Sequence, residues 1–573
     1  MKRRNFIEIL TVGGSIAAVS PVLANPLTPS AALQRPSSVH EKILTADLVV
    51  AGGGLGGCAA ALAALRNNLT VILTEQTDWI GGQLTQQGVP PDEHPWIETH
   101  GATQLYRDFR KGVREYYLMN YPLTDQARKR QYLNPGDGVV SELCHEPRVA
   151  LAVLQSLLAP YQSSKKLTIL LEHHIISARV INDEVRSLEA LDQKTGKKIM
   201  LKAPYFVDAT ELGDLLPLTG TEYVTGTESR EETKELHAPE KGNPLNNQAF
   251  TVSFAMDYIK GTNYTIEKPD EYEFWKNFTP SMKPAWSGKL LNLAYSTPAT
   301  LIPKTLAFDP LSPNTGKPMN LWDYRRIINK DNFIPGTFAG DITIVNWPQN
   351  DYFLANLIGA TPQEFKTHVN RAKQLSLSLL YWLQTEVPRP DGGHGWPGIR
   401  LREDIMGTED GMAKYPYIRE SRRIKAVFTI LEEHIGVKNR ALITGKETGN
   451  SAANFYDSVG VGYYHVDLHP TTGGNNYVDF ESMPFQIPLG ALLPRKIKNL
   501  LPANKNIGTT HITNGCYRLH PVEWSIGEAV GLLVKFASDK KVIPRDVRER
   551  KEMLTEFQDF VRSQGIETHW PEG

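Results

Sequence analysis

The sequence of 573 residues has little of three features that would assign it to a class at once: cysteine, net charge and long apolar runs. Its three cysteines cannot form a disulfide framework, and no two of them are spaced as a CxxC pair. A net charge of −1 gives no electrostatic reason to expect nucleic acid as a partner. No apolar run reaches the about eighteen residues of a membrane span, so no integral membrane segment is expected. No zinc, calcium or iron–sulfur ligand pattern occurs, so no metal is expected either.

The first residues resemble a twin-arginine export signal. Arginines at positions 3 and 4 and Phe6 precede a moderately apolar run, and Val22-Leu23-Ala24 has the small residues of a cleavage site. Lys2, Ile7 and Glu8 depart from the usual signal. We expect a signal peptide at 1–24, a linker at 25–44 and export to the periplasm. The alternative is a cytoplasmic protein with a basic, unstructured N-terminus.

The most informative stretch lies between residues 46 and 75. A short apolar run at 47–51 predicts a buried parallel strand, and Gly52-x-Gly54-x-x-Gly57 follows at once. Small residues at 58–65 predict a helix that packs closely on a sheet, and 70–74 predicts a second buried strand. Glu75 stands at the carboxyl end of that strand. This is the order of elements in a dinucleotide-binding unit.

Each residue type in this unit has a mechanical role. Gly52 makes the tight turn, Gly54 lets a pyrophosphate approach the backbone, and Gly57 lets the helix pack on the strand. The helix N-terminus offers free N–H groups and a positive dipole end to the phosphates. Glu75 is placed to accept hydrogen bonds from an adenosine ribose and would repel a 2′-phosphate, which argues against an NADP-type ligand.

With two further segments, this unit makes the chain resemble the FAD-dependent oxidoreductases of the glutathione-reductase-like class. Residues 207–214 (VDATELGD) look like the family's second flavin motif, and residues 499–508 (NLLPANKNIG) look like its C-terminal flavin segment. Blocks at 417–423 and 517–524 are also similar to the family, so the resemblance covers about 45–540. It implies FAD as the cofactor and an oxidoreductase activity.

The resemblance implies cofactor-binding residues that are spread along the chain: Gly52, Gly54, Leu55, Gly56, Gly57, Glu75, Gln76, Gly82, Gln83, Ile176, Ala209, Thr210, Asn504, Asn506, Val522 and Glu523. Ala503-Asn504-Lys505 stands where relatives commonly carry Ala-Gly-Arg or a Gly-Asp pair, so the ribityl contact is expected to differ in detail. No histidine occupies the position used for covalent attachment in the succinate dehydrogenase branch, which implies non-covalent FAD. The absence of a second glycine fingerprint argues against a pyridine-nucleotide reductase.

The expected fold class is α/β: a discontinuous Rossmann-like FAD-binding domain with a β-meander and an inserted α+β substrate or cap domain. The meander is predicted over 175–202, and long helices are predicted at 362–384, 418–434 and 521–537. We expect the first part of the FAD-binding domain at 45–240, the cap at 241–484, the last part at 485–540 and a helical tail at 541–573.

Flavin chemistry needs positive charge near the ring and a group that handles a proton. Arg518 and His520 lie just before a helix that begins near Pro521, where its N-terminal dipole would aim at the ring. His520 is a candidate general base because imidazole titrates near neutral pH. The structural alternatives are an ion pair for Arg518 and a helix cap for His520.

Three further residues are candidates for contact with a substrate. His511 lies in a predicted loop at 504–516, rich in Asn, Thr and Gly, and its alternative is a surface histidine. Arg419 and Arg422 would share one face of the predicted helix start, where they either clamp a substrate or form a solvated salt-bridge face.

The leading functional hypothesis is a flavoenzyme that oxidises a small molecule by hydride transfer. Trp and Tyr are frequent between 250 and 480 and suit stacking against a sugar-like or aromatic substrate, although they also suit ordinary packing. The alternatives are a flavin-dependent isomerase or lyase and a non-catalytic exported FAD-binding subunit. The electron acceptor and the oligomeric state are left open.

Overall fold

The computed structural model describes residues 42–312, 318–446 and 451–571. The predicted signal peptide at 1–24 and most of the predicted linker after it lie outside the described residues. Within the described part, no helix combines the length and the apolar character needed to cross a membrane.

The first third of the described chain alternates strands and helices and then forms the meander. Its elements are β1 (Lys42–Thr45), β2 (Leu48–Ala51), α1 (Leu55–Arg66), β3 (Val71–Glu75), α2 (Gln104–Asn120), α3 (Asp125–Arg128), α4 (Pro147–Ser163), β4 (Leu167–Leu171), β5 (His173–Ile181), β6 (Glu184–Asp192), β7 (Lys198–Lys202), β8 (Tyr205–Asp208), α5 (Leu215–Thr219) and β9 (Tyr223–Val224).

The middle third has short elements around one long helix. They are α6 (Arg230–Thr233), β10 (Phe250–Thr251), β11 (Phe254–Tyr258), α7 (Tyr272–Asn277), β12 (Ala294–Ser296), β13 (Pro303–Thr305), α8 (Leu321–Tyr324), β14 (Arg326–Ile328), β15 (Ile342–Val345), β16 (Asp351–Tyr352), α9 (Pro362–Thr385), β17 (Ile399–Leu401) and α10 (Glu403–Met406).

The last third returns to the first. Its elements are β18 (Arg423–Ile424), α11 (Glu432–Ile435), α12 (Val437–Thr444), β19 (Ser458–Gly462), β20 (Val466–Leu468), β21 (Val478–Phe480), β22 (Phe485–Pro488), β23 (Leu500–Pro502), α13 (His511–Tyr517), α14 (His520–Lys540), α15 (Pro544–Glu549) and α16 (Lys551–Ser563).

A five-stranded parallel sheet organises the first and last thirds, in the order β23-β8-β2-β3-β4. Strands β2 and β3 are buried along their whole length, as the inner strands of a sheet covered on both faces must be. The edge strand β23 comes from the C-terminal part of the chain and pairs with β8 from Leu500 opposite Phe206. The predicted α/β class with a discontinuous FAD-binding domain is therefore confirmed.

Two antiparallel sheets complete the scaffold. The predicted meander forms a sheet of order β1-β7-β6-β5, whose strand β5 leads directly on from the edge of the parallel sheet. The middle third forms a second sheet of order β14-β15-β11-β17, with its own core of aromatic and aliphatic side chains packed under α9. This part of the chain is called the inserted domain below; it stays a predicted domain, because the residues from Lys42 onward form one compact unit.

The predicted helix at 418–434 is wrong. Residues Arg423–Ile424 form strand β18 against β9, and only Glu432–Ile435 is helical within that range. The periodicity failed here because Arg419, Glu420 and Arg423 are buried, so the polar positions face other parts of the protein rather than water. The predicted loop at 504–516 is also shorter than expected, because helix α13 begins at His511.

Helices α1 and α14 cross at van der Waals distance, and this contact joins the two ends of the described chain. Small residues make it possible: a Cβ added at Gly527 would lie 2.0 Å from the backbone oxygen of Gly56, and one at Gly531 would lie 2.4 Å from that of Ala60. Helix α1 is built almost entirely of Gly, Ala and Leu, and eleven of its twelve residues are buried. The N-terminal glycine turn is therefore held in place by the C-terminal helix.

We expect Gly527→Ala to destabilise the protein by about 1–3 kcal/mol, because the new methyl group overlaps the α1 backbone. The direction of the change in unfolding free energy is informative. Alanine is a better helix former than glycine by about 1 kcal/mol, so without the overlap the substitution would stabilise α14. Asp539→Ala, on the exposed end of the same helix, is the control and should change stability by less than about 0.5 kcal/mol. Urea unfolding measures both, and equal midpoints for the two variants would contradict the packing argument.

Candidate functional site

The glycine turn after β2 has the strained geometry that only glycine accepts readily. Gly52 has a φ of +97°, and a Cβ there would lie 2.3 Å from the backbone oxygen of Ala209 at the end of β8. Gly57 approaches Gly52 equally closely, with a Cβ position 2.1 Å from its oxygen. Gly81 and Gly82 form a second glycine turn, which follows Glu75 in the chain. It packs on the first turn, because Gly81 donates its N–H to the oxygen of Gly53 at 2.7 Å.

A cavity of about 430 Å³ opens where β2, β3 and β8 end. It contains six residues predicted from the sequence: Gly52, Gly54, Glu75, Gln76, Ala209 and Thr210. The meander supplies His173, His174 and Ile175, which sequence reasoning did not assign to the site. The predicted Ile176 does not line this cavity.

Glu75 is held at the cavity wall by three donors. Its Oε2 accepts from the N–H of Gly53 at 3.0 Å, and its Oε1 accepts from the N–H and the hydroxyl of Thr77 at 2.8 and 3.0 Å. Burial nevertheless raises the pKa of Glu75 to about 7, against the hydrogen bonds that lower it. The carboxylate therefore gains its charge near neutral pH.

The N-terminus of α1 meets a buried cluster of Glu211, Lys505 and Glu523, here called the lysine cluster. The N–H of Gly56 donates to Oε1 of Glu523 at 3.0 Å, and Lys505 Nζ lies 2.6 Å from Glu211 Oε2 and 3.5 Å from Glu523 Oε2. Burial alone would lower the pKa of Lys505, but Glu211 and Glu523 raise it. The ammonium group therefore stays charged.

The predicted C-terminal segment joins the sheet edge to this cluster. Asn504 donates to the backbone oxygen of Ala209 at 3.2 Å, and Asn506 donates to that of Asp208 at 3.0 Å. Gln83, from the second glycine turn, donates to the Glu523 carboxylate and to the backbone oxygen of Arg518. Leu55 and Val522 are buried beside these groups.

A second cavity, of about 190 Å³, lies between the inserted domain and the segment 464–479. Its wall contains Arg419 and Arg518, two of the predicted catalytic residues, together with five tyrosines and Trp347. Sequence reasoning missed six of its acidic, basic and histidine side chains: Asp92, Arg325, His465, Asp467, His469 and Asp479. They carry no shared motif, and chain positions from 92 to 479 meet only after folding.

Arg518 lines the second cavity, and hydrogen bonds through Gln83, Glu523 and Lys505 link its backbone to Glu211 in the wall of the first. These residues, with the adjacent His520, form the boundary between the two cavities. Arg518 donates to the Tyr417 hydroxyl at 3.2 Å and forms an ion pair with Asp467 at 3.2 Å. His520 is fully buried, and burial together with Arg325 and other cations holds its pKa well below the usual value. The N–H of Asp92 donates to its Nδ1 at 3.0 Å, so the single proton of the neutral ring is on Nε2.

Several buried polar atoms along this boundary have no hydrogen-bond partner among the described residues. They are Oε1 of Gln83, both side-chain polar atoms of Gln87, Oε1 of Glu211, Nε of Arg518 and Nε2 of His520. A buried polar atom without a partner costs about 1–3 kcal/mol, so such a row indicates a polar ligand. With the glycine turn and Glu75, these residues fit a dinucleotide with a polar ring at its far end.

The remaining predicted catalytic residues lie elsewhere. His511 Nδ1 is 2.9 Å from Oε1 of Glu420 and lines a separate cavity of about 160 Å³. Arg422 donates to the backbone oxygen of Leu212 at 2.7 Å and pairs with Asp214 at 3.1 Å. Arg419 and Arg422 do not share a helix face, because this segment is not helical.

Three side chains of the second cavity are of the kind that binds a cation: His465, Asp467 and Asp479. Their ligand atoms lie within 4.8 Å of one another. Asp467 is already paired with Arg518 at 3.2 Å and lies 3.4 Å from His469. We assign no metal to this group, because its most buried carboxylate has protein partners.

We expect FAD, the dinucleotide that the resemblance implies, to bind more tightly as the pH rises through about 7, because the ribose hydroxyls need the ionised Glu75 as acceptor. Glu75→Gln should weaken binding by about 10- to 100-fold at pH 8 and remove this pH dependence. Calorimetric titration of FAD into cofactor-free protein between pH 5.5 and 8.5 gives both results. Glu273→Gln, exposed and remote, is the control, and a wild-type affinity that is independent of pH would contradict the role of Glu75.

Comparison with known structures finds remote similarity to flavoproteins. L-proline dehydrogenase from P. horikoshii matches at 16% identity over 33% of this chain and 24% of its own, so that this match spans about a quarter of that protein, with a TM-score of 0.17. A mutant E. coli quinol fumarate reductase matches at 12% identity over 91% of this chain and 74% of its own, with a TM-score of 0.33. The p-nitrophenol 4-monooxygenase of Pseudomonas putida matches at 9% identity over 91% of this chain and 89% of its own, with a TM-score of 0.35.

No curated protein matches the chain. The model of one family, described as FAD dependent oxidoreductase, matches residues 47–561, which is nearly all of the described chain. This match includes the glycine turn, the lysine cluster and both cavities. The chain therefore belongs to the FAD-dependent oxidoreductase family, and FAD is its cofactor.

Proposed function

We propose that the protein oxidises a small organic substrate, sugar-like or aromatic, by hydride transfer to non-covalently bound FAD. The observation that carries this proposal is the pair of cavities on either side of Gln83, Arg518 and His520. The first cavity has the residues of a dinucleotide site, and the second is lined by polar and aromatic side chains of the inserted domain. Arg518 contacts the wall of the second cavity directly.

FAD supplies the two-electron acceptor for the hydride. Arg518 and Lys505 keep positive charge at the boundary between the cavities, which favours the negative charge of a reduced flavin. The sequence analysis named His520 as a candidate general base, but we propose a different role for it. Because Nδ1 accepts the N–H of Asp92, the Nε2–H of His520 is a fixed donor without an acceptor among the described residues. We propose that it donates to the polar edge of the flavin ring.

The group that accepts a substrate proton is then His469. Its Nδ1 lies 2.6 Å from Oδ2 of Asp351, and Asp351 is in turn fixed by Thr251 at 2.6 Å and Arg419 at 3.0 Å. Burial opposes the ionisation of Asp351, but Arg419 and His469 hold its pKa below the usual value. The carboxylate orients the imidazole with Nδ1–H bound and Nε2 directed toward Asp467 in the second cavity.

The proposed reaction converts a carbon that bears a hydroxyl group into a carbonyl. The C–H electron pair leaves as hydride to the flavin, and the hydroxyl proton passes to the pair formed by His469 and Asp467, in which Nε2 lies 3.4 Å from Oδ2. Trp347 and the tyrosines of the cavity exclude water and position the substrate ring. The deciding experiment is anaerobic mixing of the FAD-loaded protein with candidate sugars, alcohols and aromatic acids. Loss of the oxidised flavin absorbance supports the proposal, and binding without any bleaching would favour a non-catalytic FAD-binding subunit.

Removing either group at the cavity boundary should slow flavin reduction without releasing FAD. For Arg518→Ala we expect about a 100-fold lower rate and a more negative flavin potential, because a buried positive charge is lost. For His520→Ala we expect a smaller decrease, since one donor is removed. Stopped-flow absorbance and potentiometry measure the two effects. Arg371→Ala, which removes a peripheral partner of Glu271, is the matched control. Wild-type kinetics in both boundary variants would contradict the assignment.

His469→Gln should retain FAD and lower the reduction rate by about 100-fold or more, because the proton acceptor is lost. His465→Gln is the paired control, since His465 lines the same cavity but lies 3.7 Å from its carboxylate partner and has no contact with Asp351. A reduction rate of His469→Gln that equals the wild-type rate would exclude His469 as the base.

A further inference from the structure

Each guanidinium group that lines the second cavity is paired with a carboxylate. Arg325 pairs with Asp92 at 3.2 Å, Arg518 with Asp467 at 3.2 Å, and Arg419 with the underlying Asp351 at 3.0 Å. Among the described residues of this wall, no guanidinium is left without a carboxylate. Asp479 adds a carboxylate that has no guanidinium partner in the described chain, so an anion would meet more carboxylates than guanidinium groups, and binding it would require breaking an existing pair.

The same wall presents polar atoms that have no partner within the described chain. They are the hydroxyl of Tyr477, Nε1 of Trp347 and the Nε of Arg325, Arg419 and Arg518. All five side chains are at least nine-tenths buried. These donors lie beside the carboxylates of Asp92 and Asp467, which are acceptors. A ligand that satisfies this wall must accept at several points and donate at others.

Hydroxyl groups do both, because each hydroxyl donates one hydrogen bond and accepts others. An aromatic alcohol has one such group and would leave most of these donors buried and unpaired. Aromatic side chains from Tyr295 to Tyr477 cover the rest of the wall and suit the C–H faces of a saturated ring. A volume of about 190 Å³ is below that of a drug-sized site, so it holds a single ring.

We infer that the second cavity binds an uncharged, polyhydroxylated ring of the monosaccharide type. This inference rests on the proposed function in one respect, that the second cavity is the substrate site. It selects one of the substrate classes that the sequence left open, and it requires hydroxyl recognition by Tyr477 and by the paired arginines.

The test compares matched ligands on the oxidised, FAD-loaded protein, so that binding is separated from electron transfer. Glucose, galactose and xylose are the neutral probes, glucuronate adds one carboxylate to the glucose ring, and benzyl alcohol supplies an aromatic ring with one hydroxyl. Calorimetry and flavin difference spectra report binding. We expect at least one neutral sugar to bind about tenfold or more tightly than glucuronate and benzyl alcohol. Tighter binding of either of these two, or no binding by any neutral sugar, would overturn the inference.

Two variants test the recognition itself. Tyr477→Phe should weaken sugar binding by about three- to tenfold, because one hydrogen bond to the ligand is lost. It should leave the melting temperature unchanged, since the Tyr477 hydroxyl has no partner in the described protein. Tyr463→Phe, next to the wall but not part of it, is the control. Equal sugar affinities for Tyr477→Phe and the wild type would contradict the inference.

Asp479→Asn changes the charge balance directly. It removes one carboxylate from the wall, so the ratio of glucuronate to glucose affinity should increase by about tenfold at pH 8. Sugar binding that is lost with EDTA and restored with a divalent cation would overturn the inference, because His465, Asp467 and Asp479 would then hold a metal rather than substrate hydroxyls.

The outcomes for the two proposals are distinct. A neutral sugar that binds without bleaching the flavin leaves this inference standing and contradicts the proposed oxidation. Bleaching by an aromatic alcohol or a sugar acid, with no binding of neutral sugars, supports the oxidation and removes the inference.

Discussion

The structure depends on the hydrogen bond between the N–H of Gly56 and the carboxylate of Glu523, 3.0 Å long, which joins residues 467 positions apart. The N-terminus of α1 would otherwise have unpaired N–H groups in a buried position. Only glycine allows this approach, since a Cβ at Gly56 would lie 1.8 Å from the backbone oxygen of Ala503. The closeness of α1, β23 and α14 follows from this requirement, and both cavities are positioned by it.

The lysine cluster extends this contact into the electrostatics of the site. The Glu523 carboxylate accepts hydrogen bonds from Gln83 as well as from Gly56. The Lys505 ammonium donates to both Glu523 and Glu211, on the other side of the glycine turn. Burial raises the pKa of Glu523, whereas the ammonium of Lys505 lowers it. One lysine is therefore shared by two carboxylates near the place where a negatively charged dinucleotide must bind. Lys505 supplies this cation at the position where the pattern Ala-Gly-Arg has an arginine.

The inserted domain contributes the second cavity, and it does so with residues of opposite charge held in pairs. Arg419 and His469 both contact Asp351, so one buried carboxylate fixes a cation and an imidazole on the same wall. Arg518 connects this wall to the cofactor side through the backbone oxygen that Gln83 contacts. A substrate in the second cavity and a flavin in the first would thus be positioned by residues that contact one another.

The parts of the protein that sequence reasoning predicted are those built from consecutive residues. The strand–turn–helix–strand unit ending at Glu75 follows from local periodicity and from glycines whose conformation no other residue adopts readily. The meander and the helix after Pro521 follow from alternation and from a helix-start signal. The helix predicted at 418–434 failed because its polar residues are buried in contacts with distant segments, which periodicity cannot report.

The sequence by itself determined the dinucleotide unit and the family resemblance, because each depends on neighbours along the chain. Only the tertiary structure decided that His520 carries its proton on Nε2, that His511 belongs to a different cavity, and that His469 is paired with Asp351. The reason is physical: a histidine's tautomer and its partner are set by hydrogen bonds from residues far away in sequence, and those bonds exist only after the chain has folded.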